Sequence, residues 1–138
     1  MSEPIPPGAF RQRVVASDGD IDELGHVNNA VWVRWIQDVA VAHWRSLATA
    51  AEDAAAYWVV TRHEIEYRTA LLPGEAAIGA TWVPDPPRGA RFDRRVCFVR
   101  EHDGRVLIDA RTTWAMIDRA SGRPMRVPAE LADRFRAS

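Results

Sequence analysis

The hydrophobic pattern of the chain changes period repeatedly, and each change marks an element. Residues 10–17 (FRQRVVAS) alternate weakly and read as a short strand. A polar, acidic stretch, SDGDIDELGHVNN, leads into a long apolar segment over 30–48. On a helical wheel of that segment, Trp32, Ile36, Val39, His43 and Leu47 share one face, with Trp35 and Ala42 beside them. Arg34, Gln37, Asp38 and Arg45 gather in one narrow polar stripe. A helix apolar around most of its circumference is a buried helix, so the rest of the chain has to wrap it.

The wrapping material is strand-like. Over 57–68, Val59, Thr61, His63, Ile65 and Tyr67 alternate with Arg62, Glu64, Glu66 and Arg68, and Pro73-Gly74 ends the run. Residues 75–83 form the next strand, and PDPPRG at 84–89 is a turn or loop. Two more strands, 91–100 and 105–117, are joined through Asp103-Gly104, a dipeptide favoured in tight hairpins. A short helix over 128–136 closes the chain, with Pro128 suited to its first turn. Residues 1–9 are Pro-rich and read as a loose lead-in to a single domain spanning 1–138. The expected class is α+β: one long central helix wrapped by a curved antiparallel sheet of about five strands, four of them in a meander. Such a sheet leaves an open edge and an incompletely covered face, so pairing with a second copy is expected.

Composition narrows the function classes. At 138 residues, 47% hydrophobic and 27% charged, the chain has the makeup of one globular domain rather than of a disordered or fibrous one. The 18 basic residues, all arginine, nearly cancel the 19 acidic ones, for a formal charge of -1, which argues against nucleic-acid binding by bulk electrostatics. The single Cys97 cannot close an intramolecular disulfide, the start MSEPIPPGAF lacks the form of a signal peptide, and no apolar run is long enough to span a membrane. A cytoplasmic protein is expected. Six tryptophans against two tyrosines is the unusual feature, since that bulk has to be buried or line a pocket.

Chemistry concentrates in D20-I-D-E-L-G-H-V-N-N29, where a polar loop enters the apolar helix. A helix N-terminus offers unpaired N–H groups and partial positive charge, the donors an oxyanion needs in acyl transfer. Gly25 allows close approach to the backbone, and Asp22 stands nearby as nucleophile or base. The same residues also suit purely local work: Asn28 or Asn29 as N-cap, Asp20 or Asp22 as partners of loop amides. Asp18, Asp20 and Asp22 alternate as in a calcium loop, but Glu23 stands where the glycine is required and Asn29 where the bidentate Glu belongs, so calcium is rejected.

The motif D-x-D-x-x-G-H-V-N-N-A-x-W entering a Trp-rich helix resembles the hotdog-fold thioesterases of the 4-hydroxybenzoyl-CoA and acyl-CoA thioesterase type. The likeness extends over the preceding strand, the V-x-R-x-E-I-E-Y run from Val60 to Tyr67, the P-G-E turn and the D-G hairpin. The resemblance implies hydrolysis of acyl-CoA or acyl-carrier-protein thioesters, without metal or other cofactor, in dimers or tetramers with sites at the subunit interface. It implies Asp22 as the catalytic carboxylate, attacking the thioester carbonyl or activating water. Gly25 and the amides of His26 or Val27 would hold the oxyanion, while His26 and Asn28 orient the loop and Asn29 lies beside the substrate. Trp32 occupies a place where the family often has Tyr, and Ala70 one where it often has Pro. Glu64 and Tyr67 fall on the strand that in the family runs near the partner's site loop. Arg88 and Arg91, in a cluster with Arg94 and Arg95, are candidates for coenzyme A phosphates, because guanidinium forks match phosphate oxygens.

The other residues read as structural. His43 and His63 alternate with buried positions, His102 precedes a turn and reads as solvated, and Cys97 lacks any nucleophile motif. No metal-ligand spacing is present. Most tryptophans belong to the core, and Trp32, one turn beyond the oxyanion donors, is the one expected at the acyl group. Two alternatives stand beside hydrolysis. A hydroxyacyl-thioester dehydratase would need a His/Asp or His/Glu pair, which the sequence does not show, and a non-catalytic acyl-binding or assembly protein would bind without releasing thiol.

Overall fold

A computed structural model of the chain describes residues 4–137. In order, the elements are β1 (Phe10–Val15), α1 (Asn29–Leu47), α2 (Ala50–Ala55), β2 (Ala56–Tyr67), β3 (Ala76–Trp82), β4 (Arg91–Arg100), β5 (Val106–Asp118) and α3 (Ala129–Arg136). The five strands form one antiparallel sheet in the order β1-β3-β4-β5-β2. One face carries Ala77, Val96, Phe98, Ile108 and Ala110 against Trp32, Trp35, Ile36 and Val39 of α1, in a core from which water is excluded. A second core joins Phe92 and Met116 to Leu131 and Phe135 of α3, so the closing helix covers the far end of the same face.

The expected four-strand meander is only partly present. β3, β4 and β5 follow one another, but β2 lies beside β5 at the sheet edge, because β1 pairs along the side of β3 that β2 would have taken. Residues 68–75 therefore cross between distant places in the sheet. They are tied down as they go: Arg68 N–H donates to the Leu107 carbonyl, and Gly74 N–H to that of Ala16.

Three local features depart from the sequence reading. β2 does not keep one alternation, since its register against β5 shifts between Val60 and Arg62. A bulge adds one residue and reverses the inward parity. Trp58 and Val60 thus face the core before it and His63 and Ile65 after it, while Val59 and Thr61, expected inside, are exposed. Thr49 and Glu52 form a capping box that starts α2 directly after α1. The T-x-x-E signature for this was in the sequence. Finally, the residues before β1 are not all loose. Residues 1–3 lie outside the described ones, but Ile5 packs with Ala9, Ala80, Trp82 and Cys97 on the outer face of the sheet.

Candidate active site

The polar loop before α1 is held by its own amides. Asp18–Asp20 form a single 3-10 turn, and Asp20 accepts from both Ser17 N–H and Ser17 Oγ. Those bonds, led by the backbone one, hold the Asp20 carboxyl below its ordinary pKa. Arg34 Nη2 adds an ion pair at 3.2 Å. Ile21 and Val27 pair across the loop, with Asp22 N–H donating to the His26 carbonyl and Asn28 N–H to that of Asp20. Gly25 takes φ +80° at the tip of the turn, a conformation that L side chains rarely adopt. Asn28 is the N-cap, its Oδ1 accepting from Ala30 N–H at 2.8 Å.

This network decides which amides are available. Gly25 N–H donates to the Asp22 carbonyl, and Val27 N–H to the carbonyl of Leu71 on the crossing segment. Neither can serve an oxyanion as the loop stands, which corrects the expectation for both. The His26 N–H has no acceptor among the described residues. Asp22 accepts from Leu24 N–H through Oδ1 at 2.9 Å, leaving Oδ2 without a bond there. Partner of a loop amide and carboxylate at a cavity are therefore compatible roles for one side chain.

A cavity of about 400 Å³ opens beside these groups, lined by Asp22, His26, Asn28, Trp32, Tyr67 and Thr69 among others. Val27 and Asn29 also border it. Trp32 is only 3% exposed and meets Trp35 and Phe98 edge-on at 5.1 and 5.3 Å, so it is a core residue with an edge on the cavity. Tyr67, at the end of β2, is 45% exposed, and partial desolvation raises its phenol pKa. Arg68 is tied to Glu66 and Asp109 on the cavity's margin.

The remaining candidates are not brought to this cavity within one chain. Glu64 points away from α1 and pairs with Arg62 at 3.0 Å. Arg91 lies opposite Ala115 of β5, whereas Tyr67 lies opposite Ile108, so about 24 Å of strand separates the two ends. Arg88 stands by Arg91 and is forked onto Asp93 at 3.0 and 3.2 Å, a carboxylate rather than a phosphate partner.

The other titratable groups behave as core or surface. Cys97 is buried and its thiol is pushed up to about 11, chiefly by desolvation, which removes it as a nucleophile. His102 is exposed, as expected, and also bonds Glu75 at 2.8 Å. His43 is buried against Arg94. The sequence reading missed a second cavity near that pair, ringed by Trp44, Trp58, Phe92, Trp114 and Phe135. Its signal was the placing of tryptophans on the far half of the helix and on the facing strands. Among the described residues, no group of three His, Cys, Asp or Glu could hold a metal ion, and no helix is long and apolar enough to cross a membrane.

A long helix wrapped by a curled antiparallel sheet, with a polar loop feeding the helix N-terminus, is the hotdog architecture. The thioesterase-like superfamily profile matches residues 17–135, and the chain belongs to that family. Among solved structures, it is similar to a thioesterase of Thermus thermophilus complexed with coenzyme A and zinc, at 23% identity and a TM-score of 0.79, over 92% of this chain and 91% of that one. A Staphylococcus aureus protein in complex with coenzyme A matches at 15% identity and TM-score 0.80, over 96% and 85%. The probable thioesterase YbaW of Escherichia coli matches at 19% and 0.78, over 92% and 96%. At these identities the three show the fold. No curated protein matches the chain in sequence.

Proposed function

We propose that the protein hydrolyses acyl thioesters, with acyl-CoA as the substrate class. The observation that carries this reading is the pairing, beside one cavity, of an unbonded carboxylate oxygen on Asp22 with the unbonded His26 N–H at the entrance to α1. A thioester carbonyl seated there would direct its oxygen to that N–H, where developing negative charge is stabilised. The Asp22 carboxylate takes a proton from water as the water oxygen bonds the carbonyl carbon. The C–S bond then breaks, and the departing thiolate takes up a proton. Attack by the carboxylate itself would give an acyl anhydride that water then opens. Trp32 borders the acyl group, and Asn28 holds the loop in register with the helix. Membership of a thioesterase-like family supports the reaction, and the coenzyme A complexes of the T. thermophilus and S. aureus proteins support the thiol handle.

The working form in this reading is a homodimer or a dimer of dimers. β2 is a 12-residue edge strand bearing the exposed side chains of Tyr57, Val59 and Tyr67, which suits addition of a second copy. The opposite edge, β1, is short and presents Arg11, Gln12 and Arg13, residues that discourage such pairing. A thiol-release assay over short, long and aromatic acyl-CoAs tests the activity. Sustained release of free thiol from at least one class is expected, and tight binding of acyl-CoA without release would overturn it in favour of a binding protein.

A further inference from the structure

The second cavity lies between the C-terminal half of α1, the start of β2, the start of β4 and α3. It shares no lining residue with the cavity at Asp22. Its volume, about 160 Å³, is close to the ~150 Å³ void in which a protein interior can hold one benzene ring. The wall is suited to such a ring. Trp44 stacks on Phe135 with centroids 5.4 Å apart, and meets Trp58 edge-on at 5.8 Å. Phe92 and Trp114 complete the aromatic lining, while the exposed Arg45, Asp53 and Tyr57 mark the rim.

Besides the rim, two charged residues border this wall, Asp93 and Arg94, and the Asp93 carboxylate is taken up by Arg88, Arg111 and Thr113. Arg94 points to the inner face of the sheet, where its Nη1 donates to His43 Nδ1 at 2.8 Å and to Thr81 Oγ1 at 3.0 Å. A guanidinium can only donate, so His43 accepts through Nδ1 and carries its proton on Nε2. Desolvation, helped by Arg94, lowers the His43 pKa to about 3, so the ring is neutral at ordinary pH. Arg94 itself is lowered only to about 10 by burial and stays charged. The cation therefore has neutral partners alone, and no carboxylate pairs with it among the described residues. Its neighbours differ: Arg88 has Asp93, Arg95 has Asp109 and Arg100 has Asp103. The wall also holds the Trp58 indole N–H, which is buried without an acceptor among the described residues. A desolvated cation and a buried donor lacking an acceptor both cost stability until an anion or acceptor meets them.

We propose that this cavity binds an aryl carboxylate, its ring against the aromatic wall and its carboxylate on the Arg94 guanidinium. The carboxylate could arrive as a free acid or as the distal group of an acyl thioester, and the chemistry recognised is the same. In the second case the site rests on the hydrolytic reading above.

Titration of the full chain with phenylacetate and with phenylacetamide, followed by tryptophan fluorescence, tests the site without requiring turnover. The acid should bind wild type about tenfold more tightly than the amide, a charge-assisted bond being the difference. Arg94→Met should abolish that preference while retaining amide binding. Equal affinities for the two ligands in wild type would overturn the proposal even if the variant failed to fold, and so would a preference that survives Arg94→Met. The source is read separately from steady-state hydrolysis. Phenylacetate raises KM for an aromatic acyl-CoA if the cavity receives the acyl group, and leaves KM unchanged if the ligand is a free acid.

Discussion

Asp22 and Asp20 sit two residues apart and do different work because their bonding differs. Asp20 is consumed by Ser17 and Arg34, whereas Asp22 spends one oxygen on Leu24 N–H and keeps the other at the cavity. His43 shows how environment reverses a residue's apparent promise. Its proton affinity is suppressed by desolvation, so the folded state binds a proton less readily than the unfolded chain. Stability from this group is full above the unfolded value near 6.5 and is lost as pH falls toward about 3. Carboxylates held near about 2, those of Glu52, Asp93 and Asp103, add losses of the same sign below their unfolded values near 4. Between about pH 6.5 and 4.5 the slope therefore belongs mainly to His43 and His63, both lowered by desolvation. His43→Gln keeps an acceptor for Arg94 and cannot titrate, so its Tm should fall less than that of wild type across that interval. An unchanged slope in thermal melts would contradict the assignment. At this scale the sequence displayed the loop's chemistry plainly. It could not display which amide is free, because the partner of Val27 is Leu71, supplied by a crossing segment 44 residues along the chain.

Elements here owe their fit to a few positions where backbone and side chain meet closely. Gly79 of β3 faces Phe98 of β4, and a Cβ at that position would lie 2.5 Å from the Phe98 ring. Phe98 is in turn fixed by Trp32 and Trp35, so it has little room to yield. Gly79→Ala should cost about 1–3 kcal/mol, read as a lower chemical-denaturation midpoint. The cap of α2 offers a milder test. Thr49→Ala removes the Oγ1 acceptor of Glu52 N–H and should cost about 1 kcal/mol by the same measurement. Glu52 also clasps Arg134 of α3 at 2.6 and 3.0 Å, so this small helix links the two ends of the domain. Periodicity found each strand and both longer helices to within a residue or two. The β2 bulge escaped it because Val59 and Thr61 are strand-forming residues that suit either face, and only pairing with β5 decides their direction.

The whole molecule presents two unlike faces. Inside the curl lie α1, α3 and most of the aromatic mass, and outside lies a charged lattice. There Asp93 accepts from Arg88, Arg111 and Thr113, while Asp109 is shared by Arg68 and Arg95. Burial pushes Asp93 toward the neutral form, but those donors outweigh it and hold the carboxyl near about 2. The arginines of that cluster are thus largely committed to acids within the chain, which composition could not reveal. The sheet's unpaired β2 edge predicts a particle of two or four times the 15.5 kDa chain mass by light scattering at micromolar concentration. A mass of one chain would contradict that. The central claim, hydrolysis dependent on Asp22, is tested most directly by kcat for acyl-CoA hydrolysis by Asp22→Asn beside wild type. Asparagine retains an acceptor for Leu24 N–H, so the account predicts an unchanged Tm and a kcat lower by about 10²–10⁴-fold. A folded variant that turns over at the wild-type rate would contradict it.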